Sequence, residues 1–176
     1  MNQPTPYDKA WNLAGDLILI PENTPSEELT VNTTNQLKEA LNVLSSVLKY
    51  DVSALWLQGK IQQRLGKFED SLQSFLAANQ LMENNLDVVV GVITGALESA
   101  RPKIATKFSL LALKKWPDDE LLQSLAAMSF LIAGDLTKAK EIAEICDDRI
   151  VLTRCDNIER RKECVPKNIF EIFQIA

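Results

Sequence analysis

The sequence predicts an all-α fold. It reads as an α-solenoid of about three full helix–turn–helix repeats, with a degenerate first unit and a C-terminal capping helix. Three observations carry this reading. The 176 residues are 46% hydrophobic but only 6% aromatic, with 6 Gly and 7 Pro, which disfavours both disorder and a turn-rich β fold. Glycine-marked turns recur: Leu65-Gly66-Lys67-Phe68 and Ala133-Gly134-Asp135-Leu136 lie 68 residues apart, twice 34, and Ala100 falls halfway, just before Arg101-Pro102. Small residues also fall into columns on that period. Ser71, Ala105 and Ala139 form one column, Ala78, Ala112 and Cys146 a second, and Gly59 and Ala127 a third that Ile93 interrupts. Helices crossing about 8–10 Å apart leave little room at the contact point, so a small side chain is needed there.

Taken in order, the elements divide a single domain, 1–176, into three parts. Residues 1–51 form the degenerate first unit. Trp11-x-x-Ala14-Gly15 marks its first helix, and the amphipathic run from Gln36 to Leu48, with Ala40 in the small column, its second. Between them, 21–33 is an acidic, proline-containing insertion too long for a repeat turn. Residues 52–151 hold the three repeats, starting near Val52, Leu86 and Glu120. The next unit would start at Arg154, but Arg160 and Arg161 would then occupy packed positions. Residues 152–176 are therefore read as a cap and an apolar tail, with a charged helix over 153–164 ended by Pro166 and then Ile169-Phe170-x-Ile172-Phe173-x-Ile175.

The spacing and the motifs Leu55-x-x-x-Gly59, Gly66-x-Phe68-x-x-Ser71, Phe75 and Ala78 resemble the tetratricopeptide repeat (TPR) family. Ala105, Ala112 and Pro117 continue the likeness in the middle copy, and Phe130, Gly134, Leu136 and Ala139 in the third. The family's frequent tryptophan is replaced by Leu55, Val89 and Gln123. The resemblance implies a concave groove lined by the first helices. Its partner-binding positions here would include Trp56, Lys60, Gln63 and Arg64 in the first full repeat, Val90, Thr94 and Leu97 in the second, and Leu121, Leu125, Met128 and Ile132 in the third. Trp56, Lys60, Gly91, Leu121 and Leu125 do not reproduce the carboxylate clamp by which TPR co-chaperones hold chaperone tails.

The stretch Glu120–Ala133 is apolar on nearly every side, broken by Gln123, Ser124 and Ser129, and such a helix must be buried all round. Three covers satisfy it: the Ile169–Ile175 tail, a second copy of the chain as a homodimer, or an apolar segment of a partner.

Composition bounds the function. With no histidine, a Ser-His-Asp or Cys-His pair is ruled out. Lys+Arg 19 against Asp+Glu 24, a net charge of −5, argues against nucleic acid. Cys146, Cys155 and Cys164 are an odd set with no histidine, expected as reduced thiols rather than a metal site, with a Cys155–Cys164 bridge as the alternative. The apolar stretches are too short for membrane insertion, and Met1–Trp11 lacks a signal-peptide layout, so a cytoplasmic location is expected. No catalytic residue, metal or cofactor is expected. The expected function is a non-catalytic protein–protein interaction module, an adaptor, assembly factor or chaperone, taking another protein's segment in the groove. The alternatives are a bacterial secretion-type TPR chaperone for apolar translocator segments, or a regulatory subunit of an enzyme.

Overall fold

The protein is described from a computed structural model, which covers residues 3–18, 29–47, 51–160 and 163–173. All regular structure among these is helical: α1 (Pro6–Ile18), α2 (Val31–Leu44), α3 (Val52–Arg64), α4 (Phe68–Leu81), α5 (Leu86–Glu98), α6 (Pro102–Lys115), α7 (Glu120–Ala133), α8 (Leu136–Ile145), α9 (Arg149–Glu159) and α10 (Ile169–Phe173). The first helices of the pairs start at 52, 86 and 120 and the second helices at 68, 102 and 136, which is the 34-residue repeat read from the sequence.

The local chemistry repeats with the same period. Asp51 Oδ1 accepts from the Ser53 and Ala54 amides, Asn85 Oδ1 from Val88, and Asp119 Oδ1 from Leu122, so one N-cap column sits at 51, 85 and 119. At the other end of each first helix the chain turns through the left-handed region, at Gly66 (φ 72°), Ala100 (φ 56°) and Gly134 (φ 82°). Each time the next residue's amide reaches back five residues: Lys67 to Gln62 O, Arg101 to Ala96 O, Asp135 to Phe130 O, at 2.9, 2.8 and 3.0 Å. This is the Schellman closure that satisfies carbonyls left over at a helix end. Glycine serves twice at this position; the middle turn carries the Cβ strain of alanine instead.

The chain clusters into two compact units, 1–91 and 92–176. In the first, α1 packs on α2, α3 on α4, and α3 also touches α1 and α2. Ala10, Ala14, Leu37, Ala40, Leu44, Ala54, Leu57 and Ile61 make its core. Phe75 on α4 is fully buried, and its ring lies against two glycines, Gly59 on α3 and Gly91 on α5. A Cβ at either would stand 2.6 Å from a ring atom. The close approach on α5 is thus at Gly91; Ile93, which interrupts the small column, is an ordinary buried residue. Ser71, Ala105, Ala139, Ala78 and Ala112 are buried as expected, whereas Cys146 is half-buried beyond the end of α8.

In the second unit α7 packs against α6, α8, α9 and α10. Leu125 to Ile132 are buried without a break. The polar residues that break the apolar run of α7 are partnered. Ser129 donates to Leu125 O at 2.7 Å and faces Ser109 at 3.1 Å, Ser124 bonds Asp148 Oδ2 at 2.7 Å, and Gln123 bonds Pro117 O at 2.7 Å. The charged helix after the repeats runs over 149–159 rather than 153–164. The cause is local: α8 is 10 residues long where α4 and α6 have 14, Asp147 then turns left-handed (φ 52°), and Asp148 caps α9 through Val151 N. In the first unit α2 begins at Val31, capped by Thr30, so the end of the 21–33 segment is helical; its residues 21–28 lie outside the described residues.

Candidate functional site: an aromatic cleft in the N-terminal unit

Three helix beginnings build the site. α1 starts with Thr5-Pro6-Tyr7-Asp8, in which the Asp8 carboxylate accepts from the Thr5 amide (2.9 Å) and hydroxyl (2.7 Å) while Thr5 Oγ1 accepts from the Asp8 amide (3.1 Å). This reciprocal cap, with proline at the first helical position, fixes where the helix begins. It sets Tyr7 and Trp11 one turn apart on the same face, stacked with centroids 6.1 Å apart and planes 22° from parallel. Asp51 likewise sets the start of α3 and places Val52, Ser53 and Trp56 beside them. Asn85 sets the start of α5, and Trp56 Nε1 donates to the Asp87 carbonyl at 3.3 Å. The result is a cleft of about 220 Å³ lined by Tyr7, Trp11, Val52, Ser53, Trp56, Asn85, Asp87 and Val88.

The cleft mixes aromatic and aliphatic side chains with the polar Ser53, Asn85 and Asp87, and it is negative at its edge. Partial burial raises the Tyr7 phenol above its ordinary range, and the charges of Asp51 and Asp8 add to the rise. The bonds from Thr5 hold Asp8 below the usual carboxylate range. Asp87 is exposed, and its carboxylate is not the cap of α5, since Asn85 performs that task. Behind the cleft, Lys60 Nζ lies over the Trp56 ring at 5.7 Å and near the Phe75 ring at 6.0 Å.

The sequence-predicted residues separate into groups. Trp56 is in the cleft and Lys60 is against it. Arg64 Nε donates to Leu17 O at 3.2 Å, so one of its donors caps the C-terminal turn of α1. Gln63, Val90 and Thr94 are half-buried, and Leu97 is fully buried. In the second unit Leu121 is exposed, and Leu125, Met128 and Ile132 are buried.

The chain's own tail packs on α7. α10 packs on α7 and α9, with Ile172 only 1% exposed. Arg154 of α9 holds it, donating from Nε to Ile172 O (3.0 Å), from Nη2 to Glu171 O (3.2 Å) and from Nη1 to Glu163 Oε2 (2.6 Å). A guanidinium thus satisfies the last carbonyls of a five-residue helix. Of the tail's described apolar residues Ile172 is buried and Ile169 half-buried, while Phe170 and Phe173 are exposed; Ile175 lies outside the described residues.

Tyr7, Val52, Asn85 and Val88 are not among the expected groove positions, and the sequence marks Trp11 only as a repeat-like helix residue. The signals were the Thr-Pro-x-Asp start of α1 and the 51/85/119 cap column. All three cysteines are free thiols, and burial pushes the Cys155 thiol up to about 11. Among the described residues no acid or cysteine cluster is arranged to hold a metal, and no helix is long and apolar enough to cross a membrane. No family model, no curated protein and no solved structure matches the chain.

Proposed function

We propose that the chain is a non-catalytic interaction module of the TPR class, and that its N-terminal unit docks a segment of another protein by seating a side chain in the Tyr7–Trp11–Trp56 cleft. The observation that carries this is the concentration of large amphipathic rings. The chain has 3 Trp and 2 Tyr, and Trp11, Trp56 and Tyr7 share one cleft on the first helices of successive pairs. Tryptophan and tyrosine are the residues that most often dominate binding energy at protein interfaces. At about 220 Å³ the cleft is smaller than the roughly 300–1,000 Å³ of a small-molecule pocket, which favours one anchoring side chain over a cofactor. Membership of the TPR class is supported by the repeated 34-residue cap, turn and helix starts.

The test is to pan a random-peptide library on the full-length chain and measure the selected peptides on variants. Trp56→Leu and Trp11→Leu are expected to weaken them by about thirtyfold, the scale of a tryptophan hot spot. Leu121→Ala, an exposed change in the other unit, is expected to leave them unaltered. Selected peptides that bind all the variants equally would refute the proposal.

A further inference from the structure

We infer that the side chain seated in this cleft is cationic, an arginine or a lysine on an extended segment of the partner; the inference rests on the docking role proposed for the cleft. The walls supply the first reason. Tyr7 and Trp11 stack at 6.1 Å and Trp56 completes the wall, and aromatic faces present negative charge density to a cation.

The edge supplies the second reason. Asp87 is exposed at the cleft, and Asp51 and Asp8 lie close enough to act on the Tyr7 phenol. Asp87 beside three aromatic rings complements a positive charge, and Asp51 and Asp8 add negative potential at Tyr7. An anionic anchor would meet Asp87 directly. A purely apolar anchor would strip water from Asn85 and Asp87 without repayment in hydrogen bonds. A long cationic side chain avoids both costs, because its methylenes can lie on the aromatic rings and Val52 while its head stays beside Asp87. The chain's net charge of −5 acts in the same direction on approach.

The experiment uses the full-length chain and two fluorescent peptide pools, identical except for arginine or norleucine at the central position, with randomised flanks. Norleucine keeps the apolar stem and removes the charge. The arginine pool is expected to bind about tenfold more tightly. Asp87→Asn is expected to bring it down to the norleucine level without changing the helical circular dichroism. Equal binding of the two pools, lost in Trp56→Leu, would overturn the cationic anchor while leaving peptide docking intact. Binding of both pools that Trp56→Leu and Asp87→Asn leave unchanged would overturn the docking role as well.

Discussion

The contact between Phe75 and the two glycines makes a prediction whose sign is counterintuitive. Replacing a mid-helix glycine by alanine ordinarily stabilises a helix, by about 1 kcal/mol. At Gly59 the new methyl would stand 2.6 Å from Phe75 Cε1 and 2.8 Å from both Cδ1 and Cζ, where carbon atoms prefer about 3.5–4.0 Å. Phe75 is fully buried, so its ring has no solvent to swing into. Overpacking of this kind costs about 1–3 kcal/mol. Subtracting the helix gain leaves Gly59→Ala destabilising by about 1 kcal/mol, near a 2–4 °C fall in Tm for a chain of this length. In a Phe75→Leu background the obstructing ring edge is gone, and the same change should stabilise by up to about 1 kcal/mol. Urea unfolding followed by circular dichroism, with both single variants and the double, yields the coupling. A Gly59→Ala effect of the same sign and size in both backgrounds would refute the packing account.

Other predictions concern the turns and the tail. Ala100→Gly removes the Cβ penalty of a left-handed residue, about 1–2 kcal/mol, against the greater freedom of unfolded glycine, so a net stabilisation of about 0.5–1 kcal/mol is expected in the same unfolding assay. Ile172→Asp should release α10 and expose α7, read as a rise in fluorescence of a dye that binds apolar surface; unchanged dye binding would show that α10 does not cover it. The hydrogen bonds from Arg154 and Asn157 hold the Glu163 carboxyl below its ordinary range. A depressed folded pKa contributes stability that is present above the unfolded value and lost as pH falls through the folded one. Tail docking should therefore loosen below about pH 4 rather than on the alkaline side, and Glu163→Gln should flatten that dependence.

Much of the fold is legible because short-range chemistry repeats. Gly66, Ala100 and Gly134 mark the turns, Asp51, Asn85 and Asp119 the helix starts, and small residues the crossings. Once the period is in hand, the starts at 52, 86 and 120 follow. The end of the last repeat does not, because nothing in the period announces that α8 stops a turn early and that Asp147 redirects the chain. The burial of Leu125, Met128 and Ile132 is half legible. Their apolarity demands a cover, but the docking of α10 on α7 depends on Arg154 meeting carbonyls 17 and 18 residues further on. The cleft is least legible of all. Tyr7 and Trp11 are read with Trp56 only when α1 is known to pack on α3, a contact across the acidic segment that no local pattern encodes.

The central claim, that the cleft of the N-terminal unit is the docking site, can be read from the three tryptophans directly. Trp11 and Trp56 line the cleft, while Trp116 belongs to the other unit and serves as an internal control. With ¹⁵N-labelled indoles, titrating a panned peptide into the full-length chain should shift the Trp11 and Trp56 signals together and saturably while Trp116 stays in place. A peptide that binds while moving only Trp116, or none of the three, would contradict the account.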